Sequence, residues 1–264
     1  MKLSICNEIL GKDLAKAAEV ALKVGCEGVE LAHFTFCLKP SDLSASKRAE
    51  IKEIFSSRGL EICALHWIYA SPPGLKLFSK SEEKRKEALK HTLDVIDLAA
   101  DLGAKVIVVG SPKQREIPSE VSRRTAEEWA VDFFRKAGEY AGDRGVVIAL
   151  EPLPAEDTNF INTTEEAVKL AEKILSENVR VMIDLMHVVR SNENLDEILK
   201  KYLSWIVHVH IPDVYYRPLN LKEAVAKVLK TGYTNYISLE HISPGVSPEE
   251  SIEKTISFLR ELQT

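Results

Sequence analysis

The stretch VRVMIDLMH (179–187) begins as an almost unbroken apolar run and ends on Asp184 and His187. A strand with one wet face alternates apolar and polar residues, whereas a run apolar on both faces reads as a strand buried in a parallel sheet. Seven further runs of the same kind flank it: LSIC (3–6), GVELA (28–32), LEICAL (60–65), AKVIVVG (104–110), VVIAL (146–150), WIVHVHI (205–211) and YISLE (236–240). Between them lie charged segments with helical periodicity, such as DLAKAAEVALKVG, KRKEALKHTLDVIDLAADLG, AEEWAVDFFRKAGEYAGDRG and TEEAVKLAEKIL. Several of these stop on glycine, at Gly25, Gly103 and Gly145, as expected of a helix that hands over to a strand. Strict β-then-α alternation over 264 residues predicts an α/β protein, a closed (β/α)₈ TIM barrel forming one domain over 1–264. An open doubly wound sheet is the runner-up, and it lacks support because neither GxGxxG nor GxxxxGK follows the first strand.

Composition narrows the partners. The 35 Lys and Arg against 40 Asp and Glu give a formal charge of −5, which argues against nucleic acid as a partner. No apolar run approaches a membrane span, and Lys12 and Asp13 interrupt the amino terminus before a signal-like core develops, so the expectation is a cytoplasmic protein without a membrane partner. Cys6, Cys26, Cys37 and Cys63 contain no CxxC pair and read as buried reduced thiols. Any metal chemistry must therefore use oxygen and nitrogen ligands.

In a barrel of this kind the chemistry sits at the C-terminal strand ends, and residues two apart on a strand share a face. That parity groups Val147, Ala149 and Glu151; Met182 and Asp184; Ile206, His208 and His210; and Tyr236, Ser238 and Glu240. If those faces point inward, Glu151, Asp184, His210 and Glu240 converge at the mouth. Three crowded carboxylates repel one another, and one divalent metal ion is the simplest way to neutralise them. Three oxygen ligands with one imidazole favour Mn²⁺, Co²⁺ or Mg²⁺ and admit Zn²⁺. Taken singly, each carboxylate has a blander reading as a helix N-cap or salt-bridge partner. His208 reads as a satisfied interior histidine, and His241, on the opposite parity to Glu240, as facing the helices. His66 and Trp67 after strand three suit a polyol pocket, though Trp67 equally suits a barrel cap. Lys113, Gln114 and Arg115 after strand four could bind an anionic sugar or form an exposed basic loop. His33 and Phe34 are further pocket candidates.

ALEPLP (149–154), VMIDLMH (181–187), HVHIPD (208–213) and ISLEH (237–241) together resemble the xylose-isomerase-like TIM barrels, a group that includes ketose 3-epimerases, hydroxypyruvate isomerases and endonuclease IV. The resemblance implies that Glu151, Asp184, His210 and Glu240 bind one divalent metal, that Glu151 and Glu240 are the catalytic acid and base, and that His187 and Arg217 hold substrate oxygens. It implies an isomerase of carbohydrate metabolism, of ketose 3-epimerase or aldose–ketose isomerase type, acting on a sugar, a keto-sugar acid or a sugar phosphate through a metal-stabilised enediolate. It leaves open a dehydratase on the same metal site, a nuclease and a non-catalytic sugar-binding barrel. After Arg217 the chain reads RPLNLKEAV, without the Gly-rich acidic stretch usual in relatives. Gly110 stands where endonuclease IV places a histidine, and no Asp-x-His follows strand seven, which argues against a trinuclear DNA-repair site. Pairing of copies through exposed helices, a homo-oligomer, is compatible with this class.

Overall fold

In a computed structural model that describes residues 1–262, the eight apolar runs form eight parallel strands. These are β1 (Lys2–Cys6), β2 (Gly28–Ala32), β3 (Glu61–His66), β4 (Val106–Val109), β5 (Val147–Leu150), β6 (Val179–Asp184), β7 (Ile206–Pro212) and β8 (Tyr236–His241). They close in chain order, with β1 pairing to β8 as well as to β2. The expected (β/α)₈ TIM barrel is therefore the observed one.

The helices between the strands are α1 (Leu14–Val24), α2 (Ala45–Ser56), α3 (Glu82–Leu102), α4 (Arg123–Asp143), α5 (Thr164–Ile174), the short α6 (Leu185–Arg190), α7 (Leu195–Tyr202), α8 (Leu221–Lys230) and α9 (Pro248–Glu261). Their starts are chemically marked. Asp13, Ser44, Ser81, Ser122, Thr163 and Ser247 each accept a backbone N–H of the first turn, satisfying a donor that the helix itself leaves free. At the other end Gly25 and Gly103 adopt φ of +79° and +87°, the left-handed cap that L-residues avoid. No helix among the described residues is long and apolar enough to cross a membrane.

The main core fills the space between the sheet's outer face and the helices, and takes in Ile5, Leu31, Leu65, Val109, Leu150, Val181, Val209 and Leu239 from the strands. The barrel's inside is divided. One side is a small apolar cluster of Val108, Ala149 and Met182, with Val106 and Val207 packed against it. The other side is polar and equally buried: Ser4, Glu30, His208, His210 and Ser238 are all at most 2% exposed. Ser4 and Ser238 share a hydrogen bond of 2.6 Å across the β1–β8 seam.

Three register shifts bend the ladder, where β2 meets β3, β6 meets β7, and β7 meets β8. In the second, Val181 pairs with Ile206 and Met182 with His208, so Val207 is the extra residue of a bulge. Strict alternation would align Ile206 with His208 and His210. The bulge instead turns Ile206 toward the helix-facing core and Val207 toward the barrel interior.

Candidate metal centre and pocket

Four consecutive strands deliver the expected quartet. Ligand atoms of Glu151, Asp184, His210 and Glu240 all lie within 4.8 Å of one another, and all four residues are buried. Glu151 follows β5 directly, Asp184 closes β6, and His210 and Glu240 sit near the ends of β7 and β8. Asp184 fills two positions at once, which reconciles its bland and functional readings: Oδ1 accepts the Met186 N–H at 2.7 Å to cap α6, and Oδ2 faces the cluster.

The surroundings hold Asp184 and Glu240 charged. Burial alone would push Asp184 up, but the His187 and His241 imidazoles overcome it and hold the carboxyl at about 2. Glu240 is likewise held well below the usual carboxylate range, because His210 and His241 outweigh its burial. His241 Nε2 lies 2.7 Å from Asp184 Oδ2 and 3.0 Å from Glu240 Oε2. Those two carboxylates raise His241 to about 11 against the opposing effect of burial. His187 Nδ1, buried and without a hydrogen bond, lies 3.3 Å from Glu151 Oε1 and 3.7 Å from Asp184 Oδ2.

These residues fit a divalent ion. Ligand atoms about 2.1 Å from an ion are at most about 4.2 Å apart, so a quartet within 4.8 Å closes on one with shifts of a few tenths of an ångström. Three carboxylates and one imidazole form a hard donor set suited to Mn²⁺, Mg²⁺ or Co²⁺.

A cavity of about 240 Å³ adjoins the quartet, walled by His66, Trp67, Gly110, Ser111, Glu151, Asp157, His187, Arg190, Glu240 and His241 among others. Trp67 donates its indole N–H to Glu240 Oε1 at 3.0 Å. It is 40% exposed and held at φ +51°, and Ser111 at φ +49°, so two strained backbone positions flank the mouth. A larger cavity of about 660 Å³ opens at the opposite end of the barrel, among the first residues of the strands, and none of the quartet lines it.

His66, Trp67 and His187 thus take the expected place in the pocket walls. Three basic candidates do not. Arg115 is 1% exposed, and its guanidinium donates to the carbonyls of Val109, Glu151 and Ile161, which leaves it no part in the pocket. Lys113 is exposed outside the cavity walls, and its carbonyl accepts the Lys76 ammonium. Arg217 is exposed on the turn after β7 and also stands outside the walls, where the arginine present is Arg190. His33 is buried away from the pocket, with Nε2 3.0 Å from the Ile68 carbonyl.

Three residues of the site, Arg190, Glu8 and Glu30, lie outside the reading from sequence, and a fourth, His241, stands opposite to its expected side. His241 faces the mouth and not the helices, because β8 pairs Ile211 with Leu239 and then Pro212 with His241, leaving Glu240 as an extra residue and bringing both to one end. Arg190 reaches the pocket from α6 and is gripped by Asp157 at 2.7 Å. Glu8 lies 2.9 Å from His66 Nε2. Glu30, fully buried, touches His66, His208 and His210. For Glu30 a signal existed: a carboxylate alone in the apolar run GVELA has to find a partner.

A closed parallel barrel with a carboxylate–imidazole quartet at its C-terminal mouth defines a recognisable class, and the chain belongs to the xylose isomerase-like TIM barrel family, which it matches over residues 18–262. It is similar to the inosose dehydratase of Geobacillus thermodenitrificans, 32% identical over 173 residues that cover 62% of this chain and 54% of that one. It is also similar to the 3-dehydro-D-guloside 4-epimerase of Escherichia coli, 25% identical over 190 residues, 68% of this chain and 72% of that one. The match spans about half the length of the inosose dehydratases it is similar to, 54% and 45% in two of them. Among solved structures, the apo form of 3-keto-D-glucoside 4-epimerase from E. coli superposes with a TM-score of 0.84 at 20% identity over 99% of both chains. D-psicose 3-epimerase of Clostridium cellulolyticum H10, crystallised with D-tagatose, gives 0.84 at 18% identity, also over 99% of both chains. At those identities the superpositions speak for the fold.

Proposed function

We propose that this chain is a divalent-metal-dependent isomerase or epimerase that moves a proton at the carbon beside the carbonyl of a sugar or related keto-polyol. The observation that carries the reading is the quartet Glu151, Asp184, His210 and Glu240, with ligand atoms within 4.8 Å of one another beside a cavity that two of them line. Relatives named as epimerases and dehydratases of keto-sugars and inososes support a polyhydroxy ketone as substrate class. Glu151, Asp184, His210 and Glu240 would hold a cation whose Lewis acidity would make the C–H beside a ketone more acidic. The chain's own residues handle the proton. Glu151 enters the cavity from β5 and Glu240 from β8, with β6 and β7 between them, so one carboxylate takes the proton and the other returns one. His187 and Arg190 present N–H groups to substrate oxygens, and Trp67 fixes Glu240 while walling the cavity.

The test is proton exchange. Metal-stripped and metal-reloaded protein is incubated in D₂O with a panel of ketoses, keto-acids and their phosphates, and deuterium at the α-carbon is followed by NMR. Exchange is expected only with Mn²⁺, Co²⁺ or Mg²⁺ restored; exchange indifferent to chelation sinks the proposal. A second reading, a dehydratase on the same site, is favoured by the 32% identity to inosose dehydratase. A product lighter by one water selects it.

A further inference from the structure

We infer that Glu30 is a positioning residue that sets the tautomer of His210 and so aims one ring nitrogen at the metal centre; the inference rests on the metal-binding reading above. Glu30 sits in the middle of β2, across the barrel from β7, and is 0% exposed. His210 Nε2 lies 3.1 Å from both Glu30 oxygens, while Nδ1 lies 2.9 Å from Glu240 Oε2. Two carboxylates therefore compete for the hydrogens of one imidazole. A carboxylate only accepts, so the nitrogen that Glu30 holds must carry a hydrogen. By the same rule Nδ1, 2.9 Å from Glu240, carries a hydrogen while no ion is bound; an ion in the quartet would take that hydrogen's place, and Glu30 would keep the remaining one on Nε2. Without the Glu30 carboxylate, nothing opposes the tautomer that keeps its hydrogen on Nδ1, toward Glu240, where a ligand lone pair would be needed.

Glu30 is itself fixed. His208 Nε2 lies 2.7 Å from Oε2, and His66 Nδ1 lies 3.3 Å from Oε1. Ser238 Oγ lies 3.1 Å from the same His208 Nε2. With His208 on one oxygen and His66 beside the other, the buried carboxylate is held independently of His210, so the ring follows the carboxylate. Such outer hydrogen bonds to a metal-bound histidine fix its orientation, and their loss weakens metal binding about 10- to 100-fold.

The experiment compares the wild-type protein with Glu30→Gln and His208→Asn, using Mn²⁺ alone in titration calorimetry and long-range ¹H–¹⁵N spectra of the Zn²⁺-loaded protein. Glu30→Gln is expected to weaken Mn²⁺ about 10- to 100-fold at unchanged stoichiometry. His208→Asn loosens the same carboxylate without removing a hydrogen bond of His210, though it takes away a ring packed edge-on against it, and should change the affinity far less. The wild-type spectrum should place the His210 hydrogen on Nε2. Unchanged Mn²⁺ affinity in Glu30→Gln, equal losses in both variants, or a hydrogen on Nδ1 each overturns the inference. If Glu30→Gln does not fold, the wild-type spectrum decides alone. Wild-type protein that binds no divalent ion is a different result: it removes the metal reading, and this inference falls with it.

Discussion

Gly110 earns its place by what it lacks. A Cβ there would overlap the Oε2 atom of Glu151, so the end of β4 must be bare for the carboxylate to reach the quartet. Because the obstructed atom is the tip of a flexible side chain, Gly110→Ala should displace the carboxylate and leave the barrel intact. The expected outcome is a near-wild-type melting temperature with kcat lowered on the order of 10²-fold, measured by thermal unfolding and by the deuterium assay. Glu151→Gln probes the same carboxylate chemically. It keeps the size and loses the base, so turnover should drop roughly 10²- to 10⁴-fold while substrate affinity is largely kept. Retained turnover would move the proton chemistry away from Glu151, and a non-catalytic sugar-binding barrel would show no turnover to lose.

At the scale of elements, Arg115 ties the loops together. Its guanidinium binds the carbonyls of Val109 at the end of β4, Glu151 after β5 and Ile161 in the loop leading to α5. Arg115→Met keeps much of the volume and strips the buried Glu151 carbonyl of its donor, at about 1–3 kcal/mol, whereas the carbonyls of Val109 and Ile161 keep the backbone N–H groups of Glu151 and Leu153. Urea unfolding should show a loss of about 1–3 kcal/mol with an unchanged m-value; no measurable loss would mean that the loops hold without it. Elements also mark how far the sequence could be read. Strand and helix positions follow from apolar period and caps, and the quartet follows from two-residue parity, because β5 and β6 alternate regularly up to Glu151 and Asp184. Parity fails at the bulges, where one inserted residue changes the face of everything beyond it. No local residue type announces the extra residue at Glu240, so parity alone puts His241 on the wrong side. The contacts of Arg115 were illegible for another reason: three carbonyls converge on it only after distant loops have folded, and a guanidinium beside a strand end looks the same in sequence whether it meets a phosphate or a backbone.

At the scale of the molecule, the pH dependence of stability has an identifiable contributor. Burial, with His91 and His66 nearby, lowers His33 from 6.5 to about 4, although the Ile68 carbonyl favours its ring N–H. The folded protein therefore binds this proton more weakly than the unfolded chain does. The stability that His33 contributes is whole above about pH 6.5 and drains as pH falls toward 4, by about 3 kcal/mol in all. Denaturant titrations across that range should show the slope, and His33→Gln, which keeps a donor for Ile68, should flatten it; an equally steep slope in the variant would place the titration elsewhere. The order of strands around the barrel has a further consequence. All four candidate ligands come from β5 to β8, whereas Glu30, His66 and Trp67 come from β2, β3 and the turn after it. Ligation and the groups that steer it are thus written in separate halves of the chain. A chimaera that kept the second half-barrel and exchanged the first would inherit the ion's four ligands intact while receiving new walls and a new orienting carboxylate, so selectivity can diverge by recombination without reinventing the centre.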